Sequence, residues 1–291
     1  MHKRLWNMLK LEFELAPKAP LLIKSGMLSP NPSLPDMQFV RSRTADGERV
    51  FIPGSSLRGV FRSFTEKVLR TANGEWACDP FGDNACGRAI ADVDDTASVY
   101  RRSCRACKIY GHTRLRGRLS FADALPKGEV VTETRYGVAI SRLTNAVAVG
   151  PFEIEALVQG TFRGSLVMEN FEVWHLGLLA LTLQALNDGL VKIGFGKNRG
   201  FGEVEVRPTG IVVDMAKHSG LPAQEIWGVG MFVSDSERTS YGLLADDRLK
   251  DLPEGSAHDL GIFIRREYSS DQWQTIAEKA MQSLSTLGAQ T

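Results

Sequence analysis

Four cysteines crowded into one short segment are the side chains of this 291-residue chain best suited to a chemical role. They form the pattern C-x7-C-x17-C-x2-C at Cys78, Cys86, Cys104 and Cys107. The two-residue gap is ordinary for zinc, and the seven-residue gap is workable in a loop. Four thiolates would close a tetrahedron and leave no open position, so the spacing predicts a structural Zn²⁺ rather than a catalytic one. Four unrelated thiols are the alternative, and His112 is a reserve ligand.

A second cluster is the glycine-rich segment 194–202 (GFGKNRGFG), in which four glycines surround Lys197 and Arg199. Because glycines let the backbone pass close to a partner, the segment is either a phosphate cradle or a tight β-turn with exposed cations. It is not a P-loop, since Asn198 follows the lysine where that loop needs Ser or Thr. A strand rather than a helix is expected after it, which argues against a dinucleotide-binding fingerprint.

The charge is balanced overall but segregated along the chain. There are 35 Lys and Arg against 34 Asp and Glu, which excludes a uniformly basic coat for nucleic acid. Residues 101–118 nevertheless carry seven Lys or Arg and no carboxylate, which favours a polyanion on one face over a merely solvated, salt-bridged surface. No apolar run approaches the roughly 18 residues of a membrane span, and the N-terminus lacks a signal-peptide pattern. We therefore expect a cytoplasmic protein with reduced cysteines and no membrane partner.

The elements that must position these residues show alternating and helical apolar spacing. Strands are expected at 11–15, 119–121, 152–158 and 204–206, and helices at 55–69, 176–186 and 273–284. Gly189 is placed to close the second helix. Two rounds of strand, helix and strand predict an α+β fold with a ferredoxin-like (RRM-like) core. The cysteine segment, about residues 74–118, has few periodic signals and is predicted to be an insertion in that core.

Four segments are similar, in the same order, to motifs of one known family. They are 52–59 (IPGSSLRG), 109–124 (IYG and GRLSFADA), 136–144 (YGVAISRLT) and 187–202 (NDGLVKIGFGKNRGFG). Over about residues 10–208 the chain thus resembles the RAMP superfamily of CRISPR-associated proteins. The resemblance is greatest to the backbone subunits of type III effector complexes, the seventh Cas family. Ser141 departs from the usual Asp of the third motif, and Asn145 from its usual Gly.

This resemblance implies a subunit that polymerises along a CRISPR RNA and holds a stretch of guide on the palm of its core. The guide contacts that it implies are Ser55, Ser56, Arg58 and Arg62 at a helix start, with Lys197 and Arg199 bordering the same path. A helix N-terminus favours an anion, which agrees with this assignment. A β-hairpin thumb at about 128–150, carrying Arg135, Arg142 and Asn145, would splay out one base pair. Surface ion pairs are the alternative for its arginines.

The resemblance also matches residues 25–49 to the family's catalytic loop, in which an Asp is needed to cut target RNA paired to the guide. Asp36 is the candidate, while Asp46 precedes Gly47 in a pair typical of a hairpin turn. The target's own 2′-OH would attack the adjacent phosphate. Asp36 would accept the proton or hold Mg²⁺ or another divalent ion, and the residues do not choose between these roles. An ordinary turn residue is the alternative for Asp36.

Two regions follow from these features: an RNA-binding domain over 1–210, with the zinc-binding insertion and the thumb, and an extension over 211–291. We expect an endoribonuclease subunit of a type III complex, whose partners are CRISPR RNA, target RNA and the other effector subunits. A structural subunit that binds guide RNA without cutting is the first alternative. A CRISPR RNA-processing endoribonuclease is the second, but it needs a His base near the N-terminal loop, and His2 is the only His before residue 112.

Overall fold

The structure is a computed structural model that describes residues 3–26, 34–44 and 47–290. The strands in this part of the chain are β1 (Asn7–Pro17), β2 (Arg41–Thr44), β3 (Gly47–Val50), β4 (Leu119–Phe121), β5 (Leu125–Pro126), β6 (Val131–Ile140), β7 (Val147–Gln159), β8 (Phe162–Glu169), β9 (Val204–Ala216), β10 (Ile226–Trp227), β11 (Arg248–Leu249), β12 (Ser256–Asp259) and β13 (Phe263–Tyr268). The α-helices are α1 (Gly54–Ala72), α2 (Cys86–Ala89), α3 (Thr96–Arg102), α4 (Arg105–Tyr110), α5 (Val173–Asn187), α6 (Asp235–Tyr241) and α7 (Ser270–Gln282). Within the described residues, no helix combines the length and the apolar character needed to cross a membrane.

The largest sheet is antiparallel and has the order β12-β13-β9-β1-β8-β4, with β5 also paired to β8. Strand β1 lies in its middle, where Leu11 is opposite Leu166 of β8 on one edge and Ile211 of β9 on the other. In chain order, α1 separates β1 from β4 and α5 separates β8 from β9. The expected mixed α and β fold is therefore confirmed.

Alternating side chains of β1 form the centre of the core. Leu9, Leu11, Phe13 and Leu15 are each at most 3% exposed, while the residues between them are more exposed. This is the alternation that the sequence predicts for a half-buried strand. Apolar residues of α1 join the same core; they are Leu57, Phe61 and Leu69.

Helix α5 differs from its prediction. The helical spacing of its apolar residues predicts an amphipathic helix with one buried face, but the helix is buried on nearly every side. The reason is that α7 packs against it, so closely that a Cβ on Gly177 would collide with the carbonyl oxygen of Ala280. Gly189 follows the helix with φ +71°, as a glycine C-cap requires.

The C-terminal part of the chain continues the main sheet. Strand β9 runs to Ala216, beyond the division expected after residue 210, and β13 pairs with it in register from Tyr268 opposite Ile211. Strand β12 then forms the edge of the sheet.

A buried polar junction ties this C-terminal part to α5. The carboxylate of Asp247 accepts hydrogen bonds from the N–H groups of Val173 (2.8 Å) and Gly230 (2.9 Å). Burial, with the nearby charge of Glu172, raises the pKa of Asp247 to about 8. Glu172 in turn accepts a hydrogen bond from the Tyr100 hydroxyl at 2.6 Å. These buried bonds link the cysteine segment, α5 and the C-terminal part in one packed unit.

We expect Leu11→Ala to lower the free energy of unfolding by about 2–5 kcal/mol, because it leaves a cavity at a fully buried site. Chemical denaturation monitored by circular dichroism measures the change. Leu125→Ala is the control, since Leu125 is 52% exposed and its truncation should stay within about 0.5 kcal/mol. Equal losses in the two variants would contradict the central position of β1.

Candidate functional site

The structure brings the four cysteines together. Their sulfur atoms all lie within 4.8 Å of one another, and Cys78 Sγ and Cys107 Sγ are 3.7 Å apart. A tetrahedral site with Zn–S bonds of about 2.3 Å needs sulfurs about 3.8 Å apart, so the donor set fits such an ion. Cys104 caps the N-terminus of α4 and Cys107 lies one turn later, which explains the two-residue gap. The cluster can therefore hold a metal ion such as zinc.

The thiols already share their protons unequally. Hydrogen bonds from the Cys107 and Cys86 thiols hold the pKa of Cys104 well below its usual range. The thiol–thiol hydrogen bond to Cys104 is the main cause that raises the pKa of Cys86 to about 12. A bound cation would stabilise the thiolate form of the four cysteines.

Arginines of α1 connect this cluster to the core. Arg62 lies 3.9 Å from Cys107 Sγ, donates to the carbonyl of Gly111 at 3.3 Å and pairs with Glu66 at 2.8 Å. Arg70 donates to the carbonyl of Cys78 at 2.7 Å. The position of the cysteine segment against α1 therefore depends on these guanidinium groups.

Asp36 is exposed, at the end of a segment that docks on the thumb hairpin. Its Oδ2 accepts a hydrogen bond from the Glu153 N–H of β7 at 2.9 Å. The next residue, Met37, pairs with the same strand. Its N–H donates to the carbonyl oxygen of Glu153 at 3.0 Å, and its own carbonyl oxygen accepts from the N–H of Glu155 at 2.9 Å. The Asp36 carboxylate is thus held beside the middle of the β6–β7 hairpin, where Glu153 is opposite Tyr136. Asp46, its sequence competitor, lies outside the described residues.

A partly buried ion pair fixes this docking, and sequence reasoning missed it. The Glu155 carboxylate accepts from the Phe39 N–H at 2.9 Å and from two nitrogens of Arg41. Burial raises the pKa of Glu155, but the hydrogen bonds from Arg41 and Phe39 outweigh it and the net pKa is lowered. Alternation along residues 152–158 indicated an outward Glu155, so no pattern in the sequence revealed this contact.

The start of α1 is largely used by the protein itself. The Gly54 N–H donates to Asp123 Oδ1 at 2.8 Å, and the Ser56 and Leu57 N–H groups donate to the carbonyl of Pro53. A Cβ at Gly54 would collide with the backbone of Phe121, which explains the glycine of the IPGSS segment.

The predicted RNA contacts on α1 fall into two groups. Ser55 is exposed and Ser56 half-buried, so both reach the surface. The Arg58 guanidinium donates to the carbonyl of Tyr110, and Arg62 is bound to the cysteine segment. The serines therefore face solvent, while both arginines already make contacts within the chain.

The segment predicted to be the thumb, at about 128–150, lies in a β-hairpin that is longer than the predicted range. Strands β6 and β7 make an exposed antiparallel hairpin that spans residues 131–159. Near its tip Leu143 is 93% exposed, and Asn145 takes φ +54° to close the turn. Arg135 forms an ion pair with Glu133 at 2.5 Å, whereas Arg142 is exposed with no partner among the described residues. The hairpin therefore offers an apolar tip and one unpaired cation.

Two glycines of segment 194–202 serve the protein's own packing. A Cβ at Gly194 would collide with the carbonyl of Leu22, and one at Gly202 with that of Ile193. Both glycines also have positive φ. The turn between them leaves Lys197 and Arg199 exposed, so a tight turn with exposed cations describes it.

Most cations of the 101–118 run are also used internally. Arg105 stacks over Trp76 at 4.0 Å and donates to the carbonyl of Leu287. Arg114 donates to the carbonyls of Ala91 and Val93. These arginines donate to backbone carbonyls elsewhere in the fold, so they do not need carboxylates nearby or a polyanion as partners. The basic run is therefore weaker evidence for a polyanion at this segment than its charge suggests.

The described fold has an antiparallel sheet with two crossover helices, an outer hairpin and an exposed basic turn. Comparison with models of known protein families identifies the family to which a chain with these features belongs. The family model of the RAMP superfamily matches residues 15–205, from β1 to the start of β9. The chain belongs to the RAMP superfamily. Its members bind RNA and are associated with CRISPR effector complexes, and some are ribonucleases. No curated protein matches the chain.

The sulfur geometry predicts one tightly bound metal ion per chain. Cys104→Ser should release it and make residues 74–118 more accessible to protease, because the ion would join Cys78 and Cys86 to the start of α4. Elemental analysis and limited proteolysis measure both effects. Protein purified without chelator that contains no metal, yet resists protease, would contradict the prediction.

Proposed function

We propose that this chain is a backbone subunit of a type III CRISPR effector complex, which binds CRISPR RNA and cuts complementary target RNA. Family membership supports the CRISPR and RNA-binding part. The strand order β9-β1-β8-β4, with α1 and α5 as crossovers, supports a ferredoxin-like core for it. The other effector subunits would be its protein partners.

The observation that carries the cleavage proposal is the docking of Asp36 on the thumb. The hydrogen bond from Glu153 uses Oδ2 only, and no described residue donates to Oδ1. A carboxylate oxygen is therefore open to solvent beside the hairpin that would separate the bases. Cleavage needs the 2′-OH in line with the leaving oxygen. The general base must therefore lie where the nucleobases of the target are unstacked.

Two roles for Asp36 fit this position. As a general base, Oδ1 would take the proton of the target's 2′-OH while that oxygen attacks the adjacent phosphate. The P–O5′ bond then breaks, which leaves a 2′,3′-cyclic phosphate, and the departing 5′ oxygen takes a proton from water. Mg²⁺ would instead supply charge stabilisation at the phosphate, but one carboxylate is an incomplete site, and RNA phosphates would have to complete it. A single carboxylate performs the first role without further ligands.

We propose that side chains, rather than the N–H groups at the start of α1, bind the guide phosphates, because those side chains reach the surface. We assign phosphate contacts to Ser55, Ser56 and Arg58 on α1, and to Lys197 and Arg199 on the glycine-rich turn. We assign Arg62 a second role, since its three contacts hold the metal segment on α1. On the thumb, we assign a phosphate contact to Arg142, which has no partner among the described residues. Arg135 would have to leave Glu133 to make such a contact, and Asn145 closes the turn at the tip.

In the cysteine cluster we propose a structural Zn²⁺. Four sulfur ligands leave no position for substrate, and soft thiolates prefer zinc among the common divalent ions. The ion would fix residues 78–107 against α1 through Arg62 and Arg70.

Asp36→Asn should reduce target cleavage by roughly 10²–10⁴-fold in the assembled complex, because it removes the charge of the proposed base. Asn keeps the size and an oxygen that can still accept from Glu153. Guide loading and target binding should persist, since they depend on many phosphate contacts. Cleavage of a labelled target under single-turnover conditions measures the rate.

Asp46→Asn is the matched control and should cut at the wild-type rate. If the Asp36→Asn complex also cuts at wild-type positions and rate, Asp36 is a turn residue. A complex that loads guide but does not cut even as the wild type would instead be the non-cleaving scaffold.

A further inference from the structure

A small groove between α1 and the glycine-rich turn collects three lysines that the preceding assignments do not explain together. The groove has a volume of about 280 Å³. It is lined by Val60, Ser63, Phe64 and Lys67 of α1 and by Leu190, Val191, Lys192 and Lys197 of the segment that follows α5.

The charge in this groove is uncompensated. No acidic side chain lines it, and none of the three ammonium groups has a hydrogen-bond or ion-pair partner among the described residues. Partial desolvation and, to a smaller extent, the charge of Lys67 lower the pKa of Lys197, so Lys67 lies close enough to disfavour the charge of Lys197. An anion placed between them would remove this cost.

The size and lining of the groove indicate the kind of anion. Its volume lies just below the roughly 300–1,000 Å³ of sites for drug-sized ligands. Val60, Phe64 and Val191 form an apolar wall beside the lysines, and Ser63 adds a hydroxyl at the rim. Such a groove suits one phosphate with its attached sugar, and lysines bind phosphate as point charges.

The position of the groove points to RNA as the source of that phosphate. Ser55, Gly59, Ser63 and Lys67 are exposed at four-residue intervals and so share one face of α1. From Ser55 to Lys67 this face extends about 18 Å, at 1.5 Å per residue. A strand that meets the proposed contacts at Ser55 and follows this face reaches the lysines.

We propose that Lys67, Lys192 and Lys197 form a seat for one backbone phosphate of the bound RNA, at the end of α1 distant from Ser55. This seat rests on the proposed RNA-binding function and extends it, since it sets where the RNA path leaves α1. Lys67 and Lys192 become RNA-contacting residues in addition to those that the resemblance implied.

The test is the salt dependence of binding between a labelled single-stranded RNA and the full-length, RNA-free protein. The variant Lys67→Gln/Lys192→Gln/Lys197→Gln should lower the salt slope by about 0.7, the value for one phosphate on a single strand. That slope corresponds to about fivefold weaker binding at 0.1 M salt. The thermal unfolding temperature should not fall, because the three ammonium groups make no hydrogen bond or ion pair with the described residues that the substitution would remove.

Lys250→Gln is the matched control, since Lys250 is exposed and already paired with Asp246 at 3.2 Å. Its RNA binding should equal that of the wild type. An unchanged slope and affinity in the triple variant would overturn the seat. Saturable binding of sodium phosphate that the triple variant loses, with unchanged RNA binding, would assign the groove to free phosphate and overturn its place on the RNA path.

This outcome is separable from that of the proposed function. A slope change in the triple variant, in a protein that carries no guide RNA in its complex, would support the seat and contradict the CRISPR role. If the complex carries guide RNA but the triple variant binds RNA as the wild type does, the CRISPR role is supported and the phosphate seat is contradicted.

Discussion

The pairing of β1 on both of its edges is the constraint on which the remaining structure depends. Its buried side chains centre the core, and its neighbours β8 and β9 each carry a segment proposed to meet RNA. The segment with Asp36 leaves the end of β1, the thumb leads into β8, and the glycine-rich turn leads into β9. A shift of one residue in β1 would reverse its buried face and move all three segments relative to one another.

Around this sheet, charged side chains divide between holding the fold and meeting solvent. Guanidinium groups mostly satisfy carbonyls and carboxylates of the chain, as Arg41 does at Glu155 and Arg70 at Cys78. Ammonium groups near the glycine-rich turn do not. This division follows from side-chain chemistry, because the planar guanidinium makes several directed hydrogen bonds and the ammonium is a mobile point charge. Unpaired lysines are therefore a better sign of an RNA surface here than the richest run of basic residues.

Sequence patterns predicted what depends on local spacing. The alternation in β1, the helical period of α1 and the cysteine spacing each describe contacts that neighbouring residues largely determine. The contacts that sequence missed join distant segments, as Glu155 joins Phe39 and Arg41, and as α7 covers α5. Burial of α5 on both sides cannot be read from its own residues, since a continuous apolar helix needs a partner that the sequence does not identify. The start of α1 shows the same limit, because Asp123, 69 residues away, already occupies the Gly54 N–H.

We propose that RNA lies on this core beside the Asp36 carboxylate, which would cut it, and the first requirement of that proposal is that the protein carries a guide. The most direct measurement is to purify the chain with its co-expressed effector complex and to sequence the RNA that accompanies it. The account predicts RNA of one defined length class with repeat–spacer sequence, present in amounts stoichiometric with the complex. A complex that assembles without RNA, or that carries only random cellular fragments, would contradict it.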